Sequence, residues 1–360
     1  MSNDAGKGPA PPSVSVVVCA YTAARWQDTK DAIDSVLRQS QPPLETLLVV
    51  DHHQELHDAF AAEYARTAAV RVLPNSGPRG LSAGRNTGIA ASHGEVVAFL
   101  DDDAVAEREW LRRLTAPYAD PAVLAVGGRT EPVWETGRRP AWFPEEFDWT
   151  VGCMYRGHPA GRVRVRNVLG GNASFRRSAF EAVGGFETGI GRGGEGTAHI
   201  PRGGLPLGCE ETELCIRLTT ALPDAVLLVD DSAVIHHRVP ADRARLGYLR
   251  RRAWAEGLSK AAVSQLVGQR AGLATERRYT TRVLPAGVGR GVRDALLGRP
   301  GGAGRAAAIL TGAAAAAAGY AAGLTRTASG RRPGRPASAE PRRAVAVPPA
   351  APRRPDEEAA

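Results

Sequence analysis

The stretch "GEVVAFLDDDA" (residues 94–104) decides the fold, because an apolar run ends abruptly in three adjacent carboxylates. Residues 96–100 have the length and apolar character of a strand buried on both faces, as in a parallel sheet covered by helices. Carboxylates this close repel one another, so their ionisation is disfavoured unless positive charge lies among them. Residues 101–103 therefore predict a site at the carboxyl end of a central strand.

The segments around this strand predict an α/β chain. Strand-like runs, many of them β-branched, lie at 13–21, 44–51, 69–74, 122–130 and 225–237, and helical patterns lie at 28–39, 55–67, 80–94, 107–118 and 209–221. Strands that alternate with helices predict a mostly parallel sheet with helices on both faces. Ligands of such sheets bind beyond the carboxyl ends of the strands, where Tyr21, Asp51 and Asp101 fall.

A divalent cation would explain the three aspartates. Mg²⁺ and Mn²⁺ prefer oxygen ligands and commonly bind through one or two carboxylates together with substrate phosphates. If the strand conformation persists, Asp101 and Asp103 point to one side and Asp102 points to the other. The alternative is a structural one, since an aspartate between a strand and a helix often caps backbone N–H groups.

The helix that begins near Gly80, "GLSAGRN", offers a second set of groups suited to phosphate. Ser82 and Gly84 permit close backbone approach, and the guanidinium of Arg85 provides paired donors for a phosphate. The alternative is an ordinary glycine-rich helix start, because a single glycine motif is a weak signal.

Taken together, five segments resemble family 2 glycosyltransferases of the GT-A fold. In chain order they are "SVSVVVCAY", "LLVVD", "GLSAGRNTGIAASHGEVVAFLDDDA", "GGNASFRRSAFEAVGGF" and "CEETELCIRL". The resemblance covers about residues 13–240. It implies a Rossmann-like α/β/α sandwich that binds a nucleoside diphosphate sugar and transfers the sugar to an acceptor hydroxyl with inversion.

The resemblance also implies roles for individual residues. Asp51 matches the acid that reads the nucleobase, and Ala20 and Tyr21 match the segment that touches base and ribose. The residues expected to bind the nucleotide sugar are Ala20, Tyr21, Asp51, Arg85, Asp101, Asp102 and Asn172. The expected ligands of Mn²⁺ or Mg²⁺ are Asp101, Asp103, His236 and His237.

The general base is expected in the "CEETEL" segment, at Glu211 or at Glu210. An attacking hydroxyl needs a carboxylate within hydrogen-bond reach, although acids in a first helical turn also simply stabilise the helix dipole. The chain departs from the family pattern twice: His52 stands where a second acid is usual, and a Glu–Glu pair replaces Glu–Asp. The residues Trp134, Trp142 and Trp149 are candidates for stacking on sugar rings or for packing in a core.

Charge and composition bear on partners and location. The formal net charge is +8, and residues 237–300 hold fourteen Lys/Arg against four Asp/Glu. This basic segment favours peripheral contact with an anionic membrane, near a lipid-linked acceptor. No nucleic-acid partner is expected, because no stacking module of the RNA-binding type is present. The N-terminal residues lack a signal-peptide pattern and the four cysteines lack metal-site spacing, so a cytoplasmic location is expected, at the inner face of the cell membrane.

The expected organisation has four parts. They are a disordered lead at 1–12, the catalytic domain at 13–240, a basic and Ala-rich helical extension at 241–324, and a disordered Arg/Pro/Ala tail at 325–360. Residues 303–324 are long and apolar enough to span or lie on a membrane, but alanine and glycine contribute little transfer energy, so a helix docked on the domain is favoured. Two rival functions remain open: a sugar nucleotidyltransferase, and a non-catalytic basic protein that binds membrane or nucleic acid.

Overall fold

The computed structural model describes residues 11–158, 160–189, 208–267 and 276–328. The expected N-terminal lead, the glycine-rich residues 190–207 and the expected C-terminal tail therefore lie largely outside the described residues. The strands are β1 (Val14–Ala20), β2 (Glu45–Val50), β3 (Val70–Pro74), β4 (Val96–Asp101), β5 (Ala104–Ala106), β6 (Val123–Trp134), β7 (Arg162–Arg164), β8 (Asn172–Arg176) and β9 (Val226–Val239).

Helices connect most of these strands. They are α1 (Trp26–Leu37), α2 (Gln54–Glu63), α3 (Leu81–Ala91), α4 (Trp110–Thr115), α5 (Arg177–Val183), α6 (Glu210–Ala221), α7 (Leu246–Val267), α8 (Leu284–Leu296) and α9 (Gly302–Ala328). A helical turn at Glu276–Arg278 and a π-helical turn at Tyr279–Val283 lead into α8. The helix α9 continues four residues past 324, the expected end of the helical extension.

The nine strands form one sheet in the order β3-β2-β1-β4-β8-β6-β9-β5, with β7 paired to β9. The first four strands are parallel neighbours, as are β6 and β9, whereas β8, β5 and β7 pair in the antiparallel direction. Because β1 lies between β2 and β4, the carboxyl ends of these three strands meet at one edge of the sheet. The fold thus collects residues from distant parts of the chain at that edge.

Alternation of side chains in β1 divides the core into two layers. Val16 and Val18 pack with Ile33 of α1 and Phe60 of α2 on one face. Val17 packs on the other face in a cluster that includes Phe99 and Phe175. Every β1 residue but Cys19 is buried, so the β-branched run reads as a strand covered on both sides.

A third cluster joins the sheet domain to the C-terminal helices. Trp134, Phe143 and Phe147 pack there with Leu249 of α7 and Ile309 of α9. Because this core contains residues from both sides of position 240, the helical extension shares a hydrophobic core with the sheet domain.

Candidate active site

The three aspartates after β4 have different surroundings. Asp101 is the last residue of β4 and its side chain is 28% exposed, whereas Asp102 and Asp103 are buried in the turn to β5. Asp101 and Asp103 belong to one cluster of candidate ligand atoms, which does not include Asp102. The corner is therefore open to a ligand mainly through Asp101.

The pairing of β5 with β9 brings a histidine to this corner. Ala104 lies opposite His237, so the imidazole reaches back to Asp103, with 3.1 Å between Nε2 and Oδ1. The neighbouring His236 points the other way and lies 3.4 Å from Glu107, outside the cluster. Of the two histidines expected as metal ligands, only His237 lies beside Asp101 and Asp103, because adjacent strand residues face opposite sides.

The ligand atoms of Asp101, Asp103 and His237 lie within 4.8 Å of one another. Two carboxylate oxygens and one imidazole nitrogen suit Mn²⁺ better than Mg²⁺, which takes almost only oxygen ligands. Two buried atoms at the corner, Oδ2 of Asp102 and Nδ1 of His237, have no hydrogen-bond partner among the described residues. The donor set and these unsatisfied atoms fit a site that holds a further polar group or ion.

Protein cations already lie among the three aspartates. Arg25, from the short 3₁₀ helix after β1, places Nη1 2.7 Å from Asp102 Oδ1 and 3.1 Å from Asp103 Oδ2. Arg243 lies 4.0 Å from Asp103. Neither arginine was expected from the sequence. A basic residue five positions after the end of β1 was the available signal for Arg25, since β1 and β4 are neighbours.

These cations separate the pKa values of the two buried acids. Burial raises the pKa of Asp102 to about 7, against the attraction of Arg25 and with added repulsion from Asp103. Burial also disfavours ionisation of Asp103, but His237 and Arg25 outweigh it and hold its pKa below the usual range. Asp103 is therefore the acid that stays ionised and ready to bind a cation.

Arg85 connects the metal corner to the helix that carries the expected base. Its guanidinium is buried, lies 2.9 Å from Glu210 Oε1, and lies 3.5 Å from Asp101 Oδ1. A Cβ at Gly170 would come within 2.9 Å of Arg85 Nη1, and one at Gly171 within 2.2 Å of Asp101 Oδ2, so a larger residue at either position would displace these side chains. The donors of Arg85 face protein carboxylates in this structure, and its contact with a phosphate stays a prediction.

The two glutamates at the start of α6 have separate environments. Glu210 is buried and paired with Arg85, whereas Glu211 is partly buried and has no ion-pair partner among the described residues. Burial raises the pKa of Glu211 to about 8, and repulsion by Glu210 adds to the shift. A carboxylate with a raised pKa is a stronger base, which favours Glu211 over Glu210 for proton abstraction.

The start of α6 is held by α7. The N–H of Gly208 donates to Ser259 Oγ at 3.0 Å, and Cys209 Sγ lies 3.3 Å from Glu256 Oε1. Cys209 has a φ of 74°, a left-handed conformation that a non-glycine residue adopts only at a cost. The helical extension thus supports the position of the two glutamates.

The residues expected to bind the nucleotide are partly available. Tyr21 is 53% exposed beside the strand ends, whereas Ala20 is buried and its carbonyl accepts from the N–H of Asp51. Asp51 accepts from Asn75 Nδ2 at 2.6 Å and from the N–H of Gly80 at 3.0 Å. Asp51 therefore anchors the loop that leads into α3. Its contact with Asn75 was not predicted from the sequence.

Asn172 does not reach the cleft, which corrects the expectation that it contacts a sugar. Its side chain is fully buried, accepts from Trp110 Nε1, and donates to the carbonyls of Arg129 and Ala233. These bonds join β8 to α4, β6 and β9. A polar residue at the start of a strand gives no sequence signal that separates this role from ligand binding.

The three tryptophans belong to the third core cluster. Trp134 packs edge-on against Phe143, and Trp149 donates from Nε1 to the hydroxyl of Tyr279 at 2.8 Å. Trp142 is partly buried against the same cluster. The packing interpretation applies to them, and sugar stacking is not supported.

Comparison with known proteins places this site in a family. The profile described as "Glycosyl transferase family 2" matches residues 15–184. The glucosyl-dolichyl phosphate glucuronosyltransferase of Haloferax volcanii is 36% identical over 257 residues, which are 71% of this chain and 79% of that protein. The chain belongs to glycosyltransferase family 2, and the resemblance seen in the sequence is confirmed.

Other relatives are shorter matches. The glycosyltransferase AglE of the same organism is 28% identical over 51% of this chain and 59% of that protein. The pre-mycofactocin glycosyltransferase of Mycobacterium tuberculosis is 31% identical over 47% of this chain and 32% of that protein. All three relatives are named as glycosyltransferases, so the chain is an enzyme of this class.

Solved structures confirm the fold. The mannosyltransferase PcManGT from Pyrobaculum calidifontis, in complex with GDP-Man and Mn²⁺, has a TM-score of 0.53 and 18% identity over 87% of this chain and 88% of that one. GalNAc-T7 with UDP, GalNAc and Mn²⁺ has a TM-score of 0.50 and 17% identity, and the match covers 72% of this chain and 54% of that one. The predicted GT-A architecture with C-terminal helices is therefore correct.

Proposed function

We propose that the protein transfers a sugar from a nucleoside diphosphate sugar to a hydroxyl of a lipid-linked acceptor, with inversion at the anomeric carbon. One observation carries the proposal: Arg85 contacts both Asp101 at the metal corner and Glu210 beside the candidate base. The candidate donor-binding acid Asp101 and the glutamate pair expected to face the acceptor therefore lie on either side of one guanidinium. Such proximity is what a direct displacement between two bound substrates requires.

The donor would lie across the carboxyl ends of β1, β2 and β4. Tyr21 is exposed there for contact with the nucleotide, and the loop anchored by Asp51 forms the adjacent wall. Asp101, Asp103 and His237 would hold Mn²⁺, which when bound stabilises negative charge on the departing diphosphate. The preference for Mn²⁺ over Mg²⁺ follows from the imidazole in the set.

Glu211 would take the proton of the attacking hydroxyl. Glu211 has no ion-pair partner among the described residues, and its raised pKa increases its basicity. Arg85 keeps the adjacent Glu210 paired, so that Glu210 acts as a positioning residue. The step forms one glycosidic bond, breaks the bond to the diphosphate, and leaves the hydroxyl proton on Glu211.

The lipid-linked acceptor is supported by the Haloferax volcanii relative, whose name describes action on a glucosyl-dolichyl phosphate. An acceptor with a membrane-embedded chain would bring the enzyme to the cytoplasmic face of the cell membrane. The described residues include one helix, Gly302–Thr325, that is long and apolar enough to cross a membrane. Family membership as a glycosyltransferase argues against the two rivals, nucleotidyl transfer and a purely binding role.

Two variants test the proposal. Asp103→Ala is expected to abolish both donor turnover and its dependence on Mn²⁺, because the ionised metal ligand is lost. Glu211→Gln is expected to retain Mn²⁺-dependent donor binding but to lose transfer by about 10³-fold or more, since general-base catalysis contributes up to this order. Binding is measured by thermal stabilisation with a panel of nucleotide sugars, and turnover by release of nucleoside diphosphate.

The products distinguish the alternatives. Release of pyrophosphate instead of nucleoside diphosphate would assign nucleotidyl transfer. Unchanged transfer by both variants, with a working donor and acceptor, would rule out the proposed roles of Asp103 and Glu211. Glu213→Gln is the control, because Glu213 is a buried acid on the same helix whose side chain pairs with Arg217.

A further inference from the structure

One face of α9 is an uncharged stripe that is exposed in the part of the chain that the structure describes. Its exposed positions recur at helical spacing: Ala303, Ala307, Leu310, Ala314, Ala317, Ala318 and Ala321. At 1.5 Å per residue this stripe is about 27 Å long. Only 22% of the most apolar part of the helix is buried, whereas the core helix of a soluble protein is mostly buried.

The opposite face of α9 is committed to protein contacts. A Cβ at Gly257 of α7 would come within 2.1 Å of the carbonyl of Ala316, and one at Gly319 would come within 2.2 Å of the carbonyl of Trp254. Contact this close exists only where both helices present small residues. Arg305 also donates to the carbonyl of Ala141. A helix held along its length in this way lies against the domain and is not available to span a bilayer alone.

The exposed face of α8 adds larger apolar side chains beside a positive charge. Val292 and Leu296 lie on one side of this helix and are 47% and 83% exposed, and Leu297 follows at 59%. Arg293 is exposed on the same side, between the two apolar residues in sequence. Leucine and arginine combined on one helical face are typical of helices that lie in a membrane interface.

The exposed face of α7 has the same character. Leu246 and Trp254 are 43% and 39% exposed, and Arg250 and Arg251 are exposed on the turns between them. Tryptophan is enriched at membrane interfaces, because its ring is apolar and its N–H is polar. Since α9 contacts both α7 and α8, the three faces belong to one packed unit.

The charges on this unit favour an anionic partner. Across 241–265 and 277–325, where the structure describes side-chain exposure, eight arginines are exposed against a single exposed acid, Asp242. The eight are Arg245, Arg250, Arg251, Arg277, Arg278, Arg282, Arg293 and Arg299. A nucleic acid would match the charge alone, whereas an anionic lipid bilayer matches both the charge and the apolar stripe.

We propose that the exposed side of α7, α8 and α9 is a peripheral docking surface for an anionic lipid bilayer. The arginines contact lipid head groups, and Leu296, Leu297 and Leu310 enter the boundary with the acyl chains. The contact is monotopic, because α9 keeps its packing on α7 and α8. Its biological meaning rests on the proposed lipid-linked acceptor, but vesicle binding is measured without donor or acceptor, so the two proposals fail separately.

The test is co-sedimentation of the full chain with phosphatidylcholine vesicles, with and without phosphatidylglycerol. The wild type is expected to sediment only with the anionic vesicles and to be released by high salt or alkaline carbonate. The double variant Leu296→Ser/Leu310→Ser is expected to bind about tenfold more weakly, because two exposed leucines no longer contribute apolar burial. The matched control is Leu44→Ser/Leu222→Ser, which removes two exposed leucines that lie outside this surface.

Control and wild type are expected to bind alike. Equal sedimentation with neutral vesicles, or no loss in the Leu296/Leu310 variant, would overturn the assignment of this surface. Protein that stays with the vesicles after alkaline carbonate would also overturn it, in favour of a spanning helix. Binding to a DNA duplex without binding to anionic vesicles would overturn it in favour of a nucleic-acid partner.

Discussion

At the level of single residues, the acidic corner is a balance of opposite charges. Asp102 and Asp103 are buried side by side, which alone would favour their protonated forms. Arg25 compensates both, and His237 and Arg243 compensate Asp103 further. These cations offset the charge of the buried acids, and Asp101 is the partly exposed acid of the corner.

The proposed role of Glu211 as the base predicts how transfer depends on pH. Burial and Glu210 raise its pKa to about 8, Glu256 adds to this, and Arg85 opposes it. The base acts only when deprotonated, so kcat/KM should rise with pH and level off above about pH 8. Glu210→Gln removes one negative charge while its amide can still accept from Arg85, so the rising limb should move to lower pH.

The measurement is a profile of kcat/KM from about pH 6 to about pH 9, with saturating Mn²⁺. In Glu213→Gln the rising part of the kcat/KM profile should stay at the same pH, because Glu213 pairs with Arg217 away from the base. A limb that is unchanged or moves to higher pH in Glu210→Gln would contradict the assignment of Glu211 as the titrating base.

Residues of the candidate site could be predicted from the sequence where they directly follow a recognisable strand. Asp101 and Asp103 were predicted from their place after a buried strand, and the family resemblance implied a histidine at 236 or 237; the structure brings Asp101, Asp103 and His237 together, and their role as metal ligands stays a prediction. The choice of His237 depends on the β5–β9 register, which no local pattern in the sequence reveals. The burial of Asn172 likewise depends on packing between strands distant in the chain.

At the level of elements, the contact between α7 and α9 depends on glycine. Gly257→Ala should destabilise the protein by about 1–3 kcal/mol, because the added methyl group would overlap the carbonyl of Ala316 and force the helices apart. Gly289→Ala in α8 should stabilise it by about 0.5–1 kcal/mol, since alanine favours the helix and no atom lies within 4 Å of the new methyl group.

Chemical denaturation of the two variants and the wild type measures both changes. The pair is matched, because each substitution adds one methyl group to a helical glycine in the C-terminal extension. Equal effects of the two would show that the α7–α9 contact is looser than the structure describes.

Elements were predictable where hydrophobic pattern and length agree. β1, β2, β4 and their connecting helices match the expected segments within a few residues, because their apolar runs are buried on both faces. The short strands β5 and β7 were not predicted, since three residues carry no usable period. β6 extends to Trp134, beyond the expected end at 130, because it pairs with the long strand β9.

At the level of the whole molecule, the catalytic region and the helical extension share a core. A chain ended after Val239 would lose Leu249, Leu284 and Ile309 and would expose Phe143 and Phe147, which are fully buried. Burial of each phenylalanine stabilises by about 1.5–3 kcal/mol. The shortened chain should therefore aggregate or bind a hydrophobic dye, as measured by gel filtration and dye fluorescence.

The control is a chain ended after Ala328, which keeps every member of this cluster and should elute as the full chain does. A soluble, cooperatively folding chain that ends at Val239 would mean that residues 13–240 form an independent domain after all.

The double role of α7 has a consequence for how such enzymes diversify. One face of this helix steadies Gly208 and Cys209 ahead of the glutamates, and another face receives α9. Exchange of the last three helices between relatives would therefore replace the residues that hold Gly208 and Cys209 as well as the exposed surface of these helices. Such an exchange should be tolerated only when the incoming helices can make the same contacts with the start of the recipient's α6.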